Sequence, residues 1–123
     1  MEIAYFFDTY ALIEIARGRN ESYRKYLNAD GITTKLNLME LYFAFLREGQ
    51  QETGRILFKK LSKSCVNADD DVLAKAAEMR LKFIKLDLSY VDCIGYLISQ
   101  KLGIPFLTGD SKFRDFPGVE FVR

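Results

Sequence analysis

Four acidic residues, Asp8, Glu40, Asp92 and Asp110, stand inside or directly after apolar segments, as in FFDTYALI, LNLMELYF, SYVDCIGY and FLTGDSKF. The chain contains no histidine. That absence removes imidazole general-base catalysis, Ser/Cys–His dyads and most zinc chemistry. Polar chemistry must come from carboxylates, hydroxyls, Lys, Arg or Tyr. A metal site, if the chain builds one, has oxygen ligands, which suit Mg²⁺ or Mn²⁺.

Each acid also has a plain structural use. Asp8 is a good N-cap for a helix that follows it. Asn37-x-x-Glu40 and Ser89-x-x-Asp92 match the capping box, in which the acid reaches back to the N–H of the cap residue. Asp110, in Thr-Gly-Asp-Ser, fits an Asx-turn. Gathering the four is harder to explain. Two carboxylates about 4 Å apart repel by roughly 4 kcal/mol at an effective dielectric near 20, against a folding stability of about 5–15 kcal/mol. A gathered set must bind a cation, hold protons or stay spread. Glu40 raises the same question alone, since Leu36, Phe43 and Ala44 are its helical companions and buried carboxylates need a partner.

The elements that carry these acids alternate between strand and helix. Residues 2–7 read as a buried strand, and helical spacing begins at Ala11, Leu12 and Ile15 and stops at Gly18. A second helix fits 20–28, with Asn20 as cap and Tyr23, Tyr26 and Leu27 inward. The turn Asp30-Gly31 introduces a strand over 32–35. Residues 37–48 form a helix apolar on nearly every side, which predicts burial all round, and it ends at Gly49. An amphipathic segment with a basic outer face covers 50–63. A short strand near 64–67 leads to a helix over 69–82 with acids at its start. Ser89 opens another helix closed by Gly103, followed by a strand at 104–108, a tight turn, and a last strand at 119–122. This order predicts one α/β domain over residues 1–123, a parallel sheet covered on both faces. Asp8 and Asp110 then fall at the carboxyl ends of two strands, where open α/β sheets bind ligands.

Composition agrees. The chain is 49% apolar and 28% charged with a formal net charge of +1, typical of a globular domain and without a strong basic field. Its longest apolar run, residues 41–46, is far short of the ~20 residues of a membrane span. An opening strand leaves no room for a signal peptide, so the expected compartment is the cytoplasm and no membrane role is expected. Cys65 and Cys93 are expected as reduced thiols.

The segments FFDTYALIEI, ITTKLNLMEL, LSYVDCIGYLIS and FLTGDSKF resemble, in order and spacing, the motifs of PIN-domain proteins, most of all the VapC-type toxin ribonucleases of toxin–antitoxin pairs. The resemblance runs along the whole chain. It implies a three-layer α/β/α sandwich around a five-stranded parallel sheet, and a pocket in which Asp8, Glu40, Asp92 and Asp110 are the catalytic acids and bind Mg²⁺ or Mn²⁺. Asp115 is either a further ligand or a loop residue before Phe116-Pro117-Gly118. Thr9 and Thr108 orient water or carboxylates, or make ordinary turn hydrogen bonds. The implied reaction is metal-assisted hydrolysis of RNA, with Lys112, Arg114, Arg17, Arg19, Arg24 and Lys25 as candidate phosphate contacts. A cognate antitoxin and a homodimer are implied partners, with Tyr23, Tyr26 and Phe58 as candidate contact aromatics. A stand-alone RNA-processing nuclease is the alternative to a toxin within this reading, and two rivals stand outside it: a PIN-like RNA-binding scaffold without catalysis, and an aspartyl-phosphate enzyme. The last lacks the DxD pattern, since Tyr10 holds the second position.

Overall fold

The computed structural model describes residues 4–123; the first two residues of the expected opening strand lie outside them. Strands β1 (Tyr5–Phe7), β2 (Gly31–Ile32), β3 (Phe106–Thr108) and β4 (Val119–Phe121) form one sheet in the order β2-β1-β3-β4. All of its pairings are parallel. The fifth strand expected near residues 64–67 is reduced to a single parallel bridge, Thr33 with Cys65. Ser64 and Asn67 are exposed there and only Cys65 and Val66 turn partly inward, too little apolar side chain to hold a longer ladder.

Successive residues of a strand face opposite sides. Phe6, Phe106 and Ile32 pack with α4 (Asp70–Lys82) and α5 (Tyr90–Leu102). Tyr5, Phe7 and Leu107 face the layer containing α1 (Thr9–Arg17) and the 3-10 helix Glu21–Tyr26. Helices α2 (Lys35–Arg47) and α3 (Gln51–Leu61) complete that side through Leu12, Leu38, Leu41 and Phe45. The result is the three-layer sandwich that the alternation predicts. Both cysteines are free thiols.

Several local expectations are corrected. Residues 20–28 hold a 3-10 helix rather than an α-helix; Asn20 caps it, Tyr23 and Tyr26 are buried, and Leu27 is exposed. The buried tyrosines therefore offer no surface to a second copy, and Phe58 is only half-buried. α2 begins two residues early because Thr34, not Asn37, is its cap. Its burial is one-sided: Leu36, Met39, Phe43 and Leu46 are 39%, 54%, 59% and 40% exposed. Among the described residues, no helix is long and apolar enough to cross a membrane.

Candidate active site

Asp8 directly follows β1, in extended backbone, and caps α1: its Oδ1 accepts from the Ala11 N–H at 2.8 Å. It is 3% exposed. Asp110 follows β3 by two residues and caps the 3-10 helix Ser111–Phe113 by accepting from the Lys112 N–H at 3.0 Å. Its own N–H donates to Thr108 Oγ1 at 3.0 Å. β1 and β3 are neighbours in register, Phe7 beside Leu107, so the two aspartates leave the same edge side by side. Gly109 permits the close approach. A Cβ there would stand 2.2 Å from Tyr10 Cε1 and 2.5 Å from the Val122 carbonyl oxygen.

Asp92 sits in the first turn of α5, where the capping box expected from Ser89-x-x-Asp92 is present. Asp92 Oδ2 accepts from the Ser89 N–H and Ser89 Oγ accepts from the Asp92 N–H, both at 3.0 Å. Gly95, one turn on, lets α5 lie on the sheet, since a Cβ there would be 2.7 Å from Phe6 Cε1. Glu40 is not in the box expected with Asn37. Its Oε1 accepts from the Thr9 hydroxyl at 2.5 Å, across from α2 to the first turn of α1. Asn37, whose side chain sequence reasoning assigned only to capping, is 2% exposed and donates its amide N–H to Thr9 Oγ1 at 3.0 Å.

The charges of the acids act on one another chiefly through Asp92. Burial, before any neighbour, pushes the Asp8 carboxyl up to about 7; the Thr108 hydroxyl and the Ala11 N–H oppose the shift, and the charges of Asp92 and Asp110 add to it. Burial likewise raises Glu40, with Thr9 opposing and Asp92 adding. Asp92 is raised by burial and by Asp110, while its Ser89 bonds and the Lys112 ammonium pull the other way. None of the four takes part in an ion pair among the described residues. As the side chains stand, no three acids among the described residues converge closely enough to hold one metal ion. They form a spread acidic edge.

Of the other candidates, Thr9 and Thr108 both touch the acids, whereas Asp115 is exposed on the turn after the last 3-10 helix. Lys112 lies at the edge, its Nζ donating to the Asp87 carbonyl at 3.1 Å. Arg114 stacks on Phe121 at 4.7 Å. Arg17 and Arg19 are elsewhere. Asp8 caps the N-terminus of α1 and Arg17 ends it, a separation of about 13 Å at 1.5 Å per residue, and Arg17 is paired with Glu48. Arg24 and Lys25 are exposed beyond them.

A parallel α/β/α sandwich with an acidic edge at the carboxyl ends of its strands defines the class. The family model for the PIN domain matches residues 5–119, and the chain belongs to the PIN-domain family. Among solved structures, VapC20 of Mycobacterium tuberculosis, a sarcin-ricin loop cleaving toxin, superposes with a TM-score of 0.81 at 17% identity, covering 98% of this chain and 100% of that one. A toxin–antitoxin complex from Klebsiella pneumoniae gives 0.73 at 19% identity, over 95% and 96% of the two chains. The DNA-bound VapBC of Salmonella typhimurium gives 0.73 at 15%, over 98% and 97%. No curated protein matches the chain.

Proposed function

We propose that this chain is a divalent-metal-dependent endoribonuclease and the toxin of a toxin–antitoxin pair. The observation that carries the reading is a set of four carboxylates, Asp8 buried and Glu40, Asp92 and Asp110 partly buried, with no ion pair to any of them among the described residues. An all-oxygen donor set of this kind fits Mg²⁺ or Mn²⁺ rather than softer ions, and Asp8, Glu40, Asp92 and Asp110 are the residues that would hold it. Bound there, the ion supplies the charge that lowers the pKa of water and screens the phosphate. Asp8 and Asp110 present their carboxylates from adjoining strands, Asp92 enters from the first turn of α5, and Glu40 closes the set from α2. Thr9 and Thr108 orient Glu40 and Asp8. Lys112 offers a phosphate contact beside Asp92, and Arg114 a weaker one. The sarcin-ricin loop cleaving toxin among the structural neighbours supports RNA as substrate, and the toxin–antitoxin complexes support an antitoxin partner.

A partner surface belongs to the same reading. Leu36, Met39, Phe43 and Leu46 make an exposed apolar stripe on the helix that carries Glu40. A segment laid along it, from an antitoxin or a second copy, would run beside Glu40. The test is Mn²⁺ titration calorimetry of the wild type, Asp8→Asn and Asp92→Asn, with circular dichroism to check the fold. Binding by the wild type and its loss in both folded variants supports the reading. A wild type that binds no Mn²⁺ reduces the four acids to helix and turn caps and sinks it.

A further inference from the structure

Asn37 is joined to the acidic edge by a chain of hydrogen bonds whose direction the geometry fixes. Thr34 Oγ1 donates to Asn37 Oδ1 at 2.6 Å, Asn37 Nδ2 donates to Thr9 Oγ1 at 3.0 Å, and Thr9 Oγ1 donates to Glu40 Oε1 at 2.5 Å. The Asn37 backbone N–H returns to Thr34 Oγ1 at 3.2 Å. A flipped Asn37 amide would turn its oxygen to Thr9 and compete for the one hydroxyl proton. Thr9 and Glu40 would then face each other as two acceptors at 2.5 Å. An amide nitrogen cannot accept, so with Nδ2 toward Thr9 the hydroxyl proton has one destination, the Glu40 carboxylate.

We propose that Asn37 is a positioning residue that acts through Thr9, holding Glu40 by Oε1 so that its carboxylate is presented to the bound divalent ion. The inference rests on the metal-site reading above and extends it to a side chain that touches no ion. A buried asparagine in the first turn of a helix has a cheaper use as a local cap, but here the capping work is done by Thr34. The Asn37 side chain reaches instead across to α1, bridging the two helices that supply Thr9 and Glu40. Groups that orient a metal ligand typically change metal affinity by about 10–100-fold when removed.

The experiment is a double-mutant cycle on Mn²⁺ affinity, by calorimetry and by the loss of free-Mn²⁺ paramagnetic resonance signal. It compares wild type, Asn37→Leu, Thr9→Val and the double variant, with Thr9→Ser as the conservative control. Expected are losses of at least about tenfold in each single variant, a double variant no weaker than Thr9→Val alone, and near wild-type affinity in Thr9→Ser. Non-additivity is the readout that a purely structural role for Asn37 would not produce. Unchanged affinity in folded Asn37→Leu, or losses that multiply in the double variant, overturns the proposal while leaving the metal site intact. A wild type that binds no Mn²⁺ overturns both. Should Asn37→Leu fail to fold, Asn37→Ser, whose hydroxyl is too short to reach Thr9, enters the same cycle with the same expectations.

Discussion

Asp8→Asn is expected to stabilise the metal-free protein at pH 8 and to lose that advantage in acid. The wild-type carboxyl titrates at about 7 when folded, against 3.8 as its ordinary value, chiefly because it is buried. Between those two values the folded protein keeps a proton that the unfolded chain has released. Stability therefore falls as pH rises through this window, and above about pH 7 the cost of the buried charge is complete. Roughly three pKa units correspond to about 4 kcal/mol. Asparagine keeps an oxygen for the Ala11 N–H and is an equally good cap, but it buries an amide NH₂ that costs about 1–3 kcal/mol where it finds no acceptor. The net expectation at pH 8 is a gain of about 2 kcal/mol. At pH 4 the sign reverses by a similar amount, because the wild-type carboxyl is then neutral.

Urea unfolding of both proteins in EDTA, followed by circular dichroism from pH 4 to pH 8, reads this difference directly. Other titrating groups largely cancel between wild type and variant. A difference that does not change with pH would refute the reasoning, since it would mean that Asp8 is solvated in the folded protein. A variant less stable at every pH would mean that the unpaired amide NH₂ costs more than the buried charge. Adding Mn²⁺ at pH 8 is expected to raise the stability of the wild type and leave Asp8→Asn unmoved, by mass action on the folded state.

Gly95→Ala places a Cβ 2.7 Å from Phe6 Cε1 and 3.3 Å from Phe106 Cε1, so α5 must lift from the sheet, and urea denaturation should show a loss of about 1–3 kcal/mol. Lys112→Ala, made in the Asp92→Asn background where cleavage is expected to be lost, is expected to weaken RNA binding at low salt. The slope of log K on log salt, read by fluorescence anisotropy, should become shallower by about 0.7 for one lost phosphate contact. Phe43→Lys, at a position 59% exposed, should leave stability within about 0.5 kcal/mol. The same substitution should reduce self-association or antitoxin binding measured by sedimentation.

How much of this was legible in the sequence depends on whether the decisive contact is local. Both ends of α5 are legible because Ser89 with Asp92, and Gly103, each act within one turn: the capping box is formed and Gly103 ends the helix at φ +67. Gly18 ends α1 in the same way. The start of α2 is not legible because Thr34-x-x-Asn37 and Asn37-x-x-Glu40 share one spacing, and which cap forms is decided by the threonine hydroxyl taking the Asn37 N–H. The partner of Glu40 could not be read locally, since Thr9 lies 31 residues away in sequence. Nor could the exposure of Met39 and Phe43. Composition makes α2 apolar all round, and only packing decides that α1 and α3 cover one side of it.

The caps that offered a plain explanation of each acid are better understood as part of the site than as an alternative to it. Each acid is anchored through a named oxygen: Asp8 Oδ1 on the Ala11 N–H, Glu40 Oε1 on the Thr9 hydroxyl, Asp92 Oδ2 on the Ser89 N–H, and Asp110 Oδ1 on the Lys112 N–H. Such bonds fix the carboxylates at helix and turn N-termini, where backbone N–H groups offset part of their charge. With these bonds in place, no three of the acids converge closely enough among the described residues to hold one ion. An ionised carboxylate has about four acceptor sites, so an anchored acid keeps capacity for a cation. Three of the anchors are backbone N–H groups set by the cap or turn itself; the exception is Glu40, held by a side chain that is itself held by Asn37. Of the four acids, Glu40 is thus the one whose position depends on side chains that a single substitution can release. Loosening of the site is therefore expected first at Thr9 and Asn37, with the sheet and the other three caps intact.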